Sequence, residues 1–273
     1  MTTLTANQDS SPIKRTLLVV VAASVAIGVA YGAGELSHLL SFIITEAGAA
    51  DFFREPINLA LGLAGLFLWQ QLSRSPVQTP PLWGSPAIGL GWGWLVGCAL
   101  PGLALLGIVM LHAGAFEARP FALASILIPV PFILIHAMAE EVVVRGIAQR
   151  AGHSAFGALA GIGVAALTFC VLQTLQGYNS IWHIANSALF GAALGLLALG
   201  RGGIWAAIAG HAGWTWLETC WIGDAVRFQK DNGVWVGGTG PDSYGSPIFT
   251  LVLILILALF GVRWALQAAK EKR

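Results

Sequence analysis

The stretch that decides the fold is HAMAEEVVVRGIAQR, His136 to Arg150, at the end of the apolar run Phe121 to Ile135. It places two adjacent carboxylates, Glu140 and Glu141, at or just past a segment long enough to lie in a bilayer. An ionised carboxylate in hydrocarbon costs at least about 2.5–3.5 kcal/mol, so two in a row need compensation. Helix geometry supplies part of it. Glu141 and Arg145 are four residues apart, with the acid N-terminal to the base, the better orientation for such a pair. Glu140 points about 100° away and shares a face with His136, four residues earlier. One carboxylate is thereby neutralised by a guanidinium, and the other is left beside an imidazole.

Composition sets the solvent. Of 273 residues, 56% are hydrophobic and only 10% charged, with mean hydropathy +0.76. Soluble domains run near 25% charged, so the chain reads as a membrane protein. A net charge of +1 gives no nucleic-acid signal. The three cysteines, Cys98, Cys170 and Cys220, each sit in an apolar stretch and read as small buried hydrophobes rather than a disulfide framework. The sequence contains neither CxxC nor HExxH.

Working outward, the expected fold class is an all-α polytopic bundle of about eight spans. Residues 1–16 read as a disordered cytoplasmic N-terminus, residues 17–120 as N-terminal transmembrane helices, residues 121–268 as the functional bundle, and residues 269–273 as a basic cytoplasmic tail. The first span follows Lys14 and Arg15, and the second is Ile57 to Leu72. Between them, Glu35 to Pro56 carries several charges and fits either an interfacial helix or a re-entrant piece. A proline- and serine-rich turn, SRSPVQTPPLWGSP, leads to the third span, Ala87 to Leu111. There Gly89, Gly93 and Gly97 recur every four residues and flatten one face for close helix contact. Pro101 is expected to kink it.

A short link with Glu117 and Arg119 precedes the fourth span, Phe121 to about Arg150. The fifth is Phe156 to Gln173, with Gly157 and Gly161 as another small-residue face. The sixth is Ile181 to Leu199, the tryptophan-rich seventh Ile204 to Ile222, and the eighth Pro247 to Leu266, after a polar, glycine-rich loop from Gly223 to Ser246. An even number of spans puts both termini on one side. The excess of Lys and Arg on that side makes it cytoplasmic.

Among polar residues within the spans, Glu140 is the one a structural ion pair does not require. His211, in GGIWAAIAGHAGWTW, shares a face with Thr215, and an imidazole and a hydroxyl so placed can donate to a developing oxyanion. An interhelical hydrogen bond explains His211 equally well. Gln173 and Asn186 read as interhelical amide contacts, and His136 reads first as a helix-contact residue, with a ligand or a base partner as its alternatives and, like His183, as a group to draw into catalysis where Gln173 is no base. A zinc site from His136, Glu140 and His211 is conceivable by residue type but lacks a tight ligand pair.

EEVVVR on a membrane helix is followed by Phe169 in FCVLQ, Asn186 in IANSALFGAALG, then GGIWAAIAGHAGWTW and GTGPDSYGSP before a last span. This succession, Phe121 to Phe260, resembles the CPBP family of intramembrane glutamic endopeptidases, which includes the CAAX-prenyl proteases and bacteriocin-processing proteins. The resemblance implies a catalytic set of Glu140, Glu141, Arg145, Gln173, His211 and Thr215. Glu140 is then the acid that polarises the attacking water, Glu141 and Arg145 its supporting pair, and His211 an oxyanion-stabilising group. Two positions depart from the pattern EExxxR, FxxxH, HxxxN/D. Gln173 stands where a second water-activating histidine is expected, and Thr215 where an amide or acid is expected. Threonine still donates a hydrogen bond, whereas glutamine accepts no proton.

The resemblance implies no cofactor and no metal, a peptide or protein substrate in or at the membrane, and the lipid bilayer as the other partner. It also implies residence in a prokaryotic cell (inner) membrane. Two other readings stay open: a catalytically impaired relative that binds a peptide or partner, favoured by Gln173, and a small transporter, disfavoured by the lack of an internal repeat.

Overall fold

The computed structural model describes residues 11–44, 47–73, 84–230 and 245–271. The expected disordered N-terminus (up to residue 10), nearly all of the turn of residues 73–86, most of the loop of residues 223–246 and the last two residues of the basic tail lie outside the described residues.

Ten α-helices, two π-helical segments and one two-stranded ribbon make up the described chain. The helices are α1 (Pro12–Ile44), α2 (Ala47–Ser73), α3 (Pro86–Met110), α4 (Leu123–Leu127), α5 (Val130–Val143), α6 (Arg150–Phe156), α7 (Ala158–Leu175), α8 (Ile181–Ala198), α9 (Ile204–Trp216) and α10 (Pro247–Glu271). The protein is an all-α polytopic bundle. Among the described residues, five stretches are long and apolar enough to cross a bilayer: Pro12–Ser41, Pro86–Met110, Leu123–Phe156, Ala158–Leu175 and Ile181–Ala198. The other three expected spans fall on α2, on α9 with its π-helical extension, and on α10, whose Pro247–Val262 is a shorter apolar stretch. Leu17, Leu68, Leu95, Leu103, Leu167 and Leu255 are all exposed, as lipid-facing side chains would be.

Of the stretch 35–56, residues 35–44 end α1 and residues 47–56 begin α2. Glu35 lies within the last turns of α1, and Arg54, Glu55 and Pro56 in the first turns of α2. With 33 residues, α1 spans roughly 50 Å, longer than a hydrocarbon core of about 30 Å. Its polar end is therefore available to build a site with α2.

Close backbone approach sets the α3–α9 contact. A Cβ on Gly89 would meet Trp205 and Gly202, one on Gly93 would meet the Ala206 carbonyl, and one on Gly97 the Gly210 carbonyl. The small-residue repeat in α3 is thus the docking face for α9, and α3 continues through Pro101 to Met110. The second small-residue face is used only in half. Gly161 packs on the backbone of Gln149 and His153, whereas Gly157 takes φ +90 in the turn between α6 and α7, with open space where a Cβ would lie.

Two large apolar clusters among the described residues hold the bundle. Leu100, Phe169, Phe190, Leu194 and Phe249 anchor one. Ala22 and Ala26 of α1, Leu66 of α2, Val142, Val143 and Ile147 of the central helix, and Ile208 of α9 share the other. The first two helices therefore pack directly on the segment that carries the paired glutamates.

A short ribbon is the one β element among the described residues. Strand β1 (Gly114–Ala118) pairs antiparallel with β2 (Val226–Lys230), with Phe116 opposite Phe228 and Glu117 opposite Arg227. It joins the link before the fourth span to what reads in sequence as loop.

Candidate active site

The fourth span is α4, α5, a π-helical turn (Val144–Gln149) and α6, continuous from Val130 onward. The π turn begins at Val144, three residues after Glu141, and contains Arg145. Single π turns inside helices recur at functional sites, because the wider turn re-aims the side chains around it.

Glu141 and Arg145 form the anchored pair. Arg145 Nε donates to Glu141 Oε2 at 2.6 Å, and Arg145 Nη1 donates to the Gly191 carbonyl of α8 at 3.1 Å. Both side chains are essentially fully buried. One turn further on, Gln149 Nε2 donates to the Gly195 carbonyl at 2.9 Å. The pair of contacts, spaced four residues apart on both helices, fixes the rotation of α8 against the central helix.

His211 belongs to the same network. Its Nδ1 lies 3.2 Å from Glu141 Oε1, so that Nδ1–H donates to the carboxylate and Nε2 is left as the working nitrogen. Edge contacts with Phe169 and Phe190, at centroid distances of 5.5 and 6.2 Å, hold the ring. Thr215 is half-buried one turn later, and its carbonyl accepts the Thr219 hydroxyl at 2.7 Å.

Glu140 faces elsewhere. It is buried, its Oε1 accepts from Gln176 Nε2 at 2.8 Å, and its Oε2 has no hydrogen-bond partner among the described residues. His136 Nε2 stands 3.8 Å from Glu140 Oε1, and His136 Nδ1 is 2.9 Å from Glu55 Oε2. Glu55 also accepts from Arg54 Nε at 3.0 Å. A cavity of about 640 Å³ opens over this group, lined by Tyr31, Glu55, Asn58, His136, Glu140 and Gln176, among others. The two neighbouring acids thus do different work: Glu141 is enclosed by a cation and an imidazole, and Glu140 borders open space.

Gln173 is buried near the end of α7, and its backbone carbonyl accepts from the Tyr178 amide at 3.0 Å. No side-chain hydrogen bond joins it to Glu140 among the described residues; Gln176, one turn later, makes that contact. Asn186 is an interhelical amide: its Nδ2 donates to the Ser246 carbonyl at 3.1 Å and its Oδ1 accepts the Thr250 hydroxyl at 2.6 Å. His183 packs beside Tyr178 and bonds Ser180 at the start of α8. Among the described residues, no three His, Cys, Asp or Glu side chains converge on a point that suits a metal ion.

Residues absent from the sequence-derived set are Glu55, His136 and Gln176. Gln176 sits in LQGYNS, which reads as a turn, and Glu55 in the charged stretch whose role composition leaves open.

The fold is thus a polytopic membrane bundle with a buried acid pair beside a π-helical turn and a cavity over one of the two acids. Residues 121–217 match the family described as Rce1-like, type II CAAX prenyl endopeptidase Rce1-like. This segment is similar to an intramembrane-endopeptidase family, consistent with the CPBP resemblance. The match runs from the start of the fourth span to the end of α9 and leaves α1, α2 and α3 outside. No curated protein matches the chain.

Proposed function

We propose that the protein is an intramembrane endopeptidase that cleaves a membrane-associated or terminal peptide by glutamate-activated water. The observation that carries this reading is the position of Glu140, a buried carboxylate with one oxygen unbonded and a cavity beside it. An acid needed only for structure would be paired as Glu141 is.

In the proposed reaction a peptide from the membrane or its surface enters the cavity. Glu140 takes a proton from water as the water oxygen bonds to the scissile carbonyl carbon. Gln176 holds the carboxylate in place through Oε1, and Gln173, at the position the family pattern gives to a histidine, orients the water. His211, positioned by Glu141, donates to the tetrahedral oxyanion together with Thr215. The carbon–nitrogen bond then breaks, and Glu140 returns its proton to the leaving amine. The substrate class that fits a bilayer-embedded cavity is a leader or C-terminal tail held at the membrane. Both termini on the cytoplasmic side of a prokaryotic cell membrane complete the proposal.

The second reading, a binding protein on a protease frame, is favoured by one feature: glutamine at position 173 cannot accept a proton. Wild type, Glu140→Ala and Gln173→His, assayed in detergent with membrane-anchored peptides and with and without chelator, separate the two. Cleavage by wild type that ignores chelator and vanishes in Glu140→Ala supports the peptidase. Cleavage only by Gln173→His supports the binding protein.

A further inference from the structure

We propose that His136, oriented by Glu55, is the second water-activating group of this site and takes over the proton-accepting role that Gln173 cannot fill. The proposal rests on the peptidase reading and deepens it. Glu55 lies in α2, outside the matched segment 121–217, so this part of the machinery comes from the N-terminal helices.

The geometry has three parts. Glu55 is 7% exposed, and its Oε2 is 2.9 Å from His136 Nδ1. A carboxylate on Nδ1 makes that nitrogen the donor, so the reactive form is the one in which Nε2 has lost its proton and presents its lone pair. Nε2 in turn is 3.8 Å from Glu140 Oε1, too long for a direct hydrogen bond. It is, however, the right base for a triangle with water at its apex. Two hydrogen bonds of about 2.8 Å over that base meet at an angle of about 85°, within reach of the H–O–H angle. One water can therefore donate one hydrogen to Glu140 and the other to His136. Finally, both residues line the same cavity, so the water is reachable by substrate.

A structural role for His136 needs only the Glu55 contact. It does not need Nε2 aimed at the one carboxylate that borders the cavity. In the proposed step the water oxygen bonds to the carbonyl carbon while its proton passes to Glu140 or to His136 Nε2. Whichever of the two groups took that proton gives it to the leaving amine as the carbon–nitrogen bond breaks. His136 is thus a catalytic residue, and Glu55 a positioning residue that acts through it. Arg54, bonded to Glu55 Oε1, leaves Oε2 to the imidazole.

The test is steady-state cleavage of a quenched-fluorescent peptide library anchored in detergent–lipid micelles. It compares wild type, Glu140→Ala, Gln173→His, His136→Asn, His136→Asn/Gln173→His, Glu55→Gln and Glu55→Leu. The expected result is a loss in kcat of about 10²-fold or more in His136→Asn with KM unchanged, and at least partial recovery on adding Gln173→His. Glu55→Gln, which keeps an acceptor for Nδ1–H, is expected to retain more rate than Glu55→Leu. This second pair leaves the imidazole in place and serves if His136→Asn does not fold. Full kcat in His136→Asn, with Glu140→Ala inactive, overturns this proposal and leaves the peptidase reading intact. A loss in His136→Asn that Gln173→His does not restore gives His136 a structural role and overturns it too. A wild type that is inert while Gln173→His cleaves overturns both.

Discussion

Replacing Arg145 with methionine should be among the most damaging single changes in the protein. Arg145 is 1% exposed, and its partner Glu141 is 0% exposed. The substitution keeps most of the volume but removes the donor to Glu141 Oε2 and the donor to the Gly191 carbonyl. Glu141 would retain only His211, at 3.2 Å. Breaking a buried pair by removing one partner costs about 3–5 kcal/mol, because the other charge stays buried without compensation. The Gly191 carbonyl keeps its intrahelical partner within α8 and loses only a second donor, worth about 0.5–1.5 kcal/mol. Removing both charges avoids the larger part, so Glu141→Leu/Arg145→Met should be more stable than Arg145→Met alone. Reversible denaturant titration in mixed micelles reads both differences. A loss below about 1 kcal/mol in Arg145→Met, or a double variant less stable than the single one, would refute the reasoning that this pair is held together against burial.

Three further outcomes follow from individual contacts. Gly97→Val places a Cβ against the Gly210 backbone, which cannot rotate away; it should cost about 1–3 kcal/mol or more and separate α3 from α9, read as lost stability and as a cross-link lost between engineered cysteines on the two helices. Ser180→Ala removes the acceptor for the His183 amide at 3.2 Å at the start of α8, and should cost about 1 kcal/mol in the same titration without changing KM. Gln176→Leu leaves Glu140 Oε1 without its 2.8 Å donor, and should lower kcat by about tenfold or more while Gln176→Asn or Gln176→His recovers part of the rate.

The parts legible in sequence are those that depend on local spacing. Glu141 and Arg145 lie one helical turn apart, so their pairing can be read from the chain alone, and the glycines at 89, 93 and 97 mark a docking face whatever its partner. Pairings between distant residues cannot be read that way. His211 meets Glu141 across 70 positions and Glu55 meets His136 across 81, and neither has a periodic signal. His136 reads as a helix-contact residue because its acid partner lies in a stretch, residues 35–56, that is polar enough to look interfacial. It is instead the ends of two helices folded against the fourth span. Gln176 escapes because a glutamine just past a helix end reads as turn chemistry, and its orientation depends on where α7 stops. The ribbon escapes because five residues of alternation in VRFQK, beside a glycine-rich loop, are too few to outweigh the helical pattern on either side.

The central claim is that Glu140 activates water directly against a peptide bond. Cleavage in ¹⁸O-labelled water with hydroxylamine present tests it most directly, with the new carboxyl terminus weighed by mass spectrometry for wild type and Glu140→Ala. The account predicts one solvent oxygen in the wild-type product, no hydroxamate, and no product from Glu140→Ala. Hydroxamate in the wild-type reaction, or cleavage that survives Glu140→Ala, would contradict it.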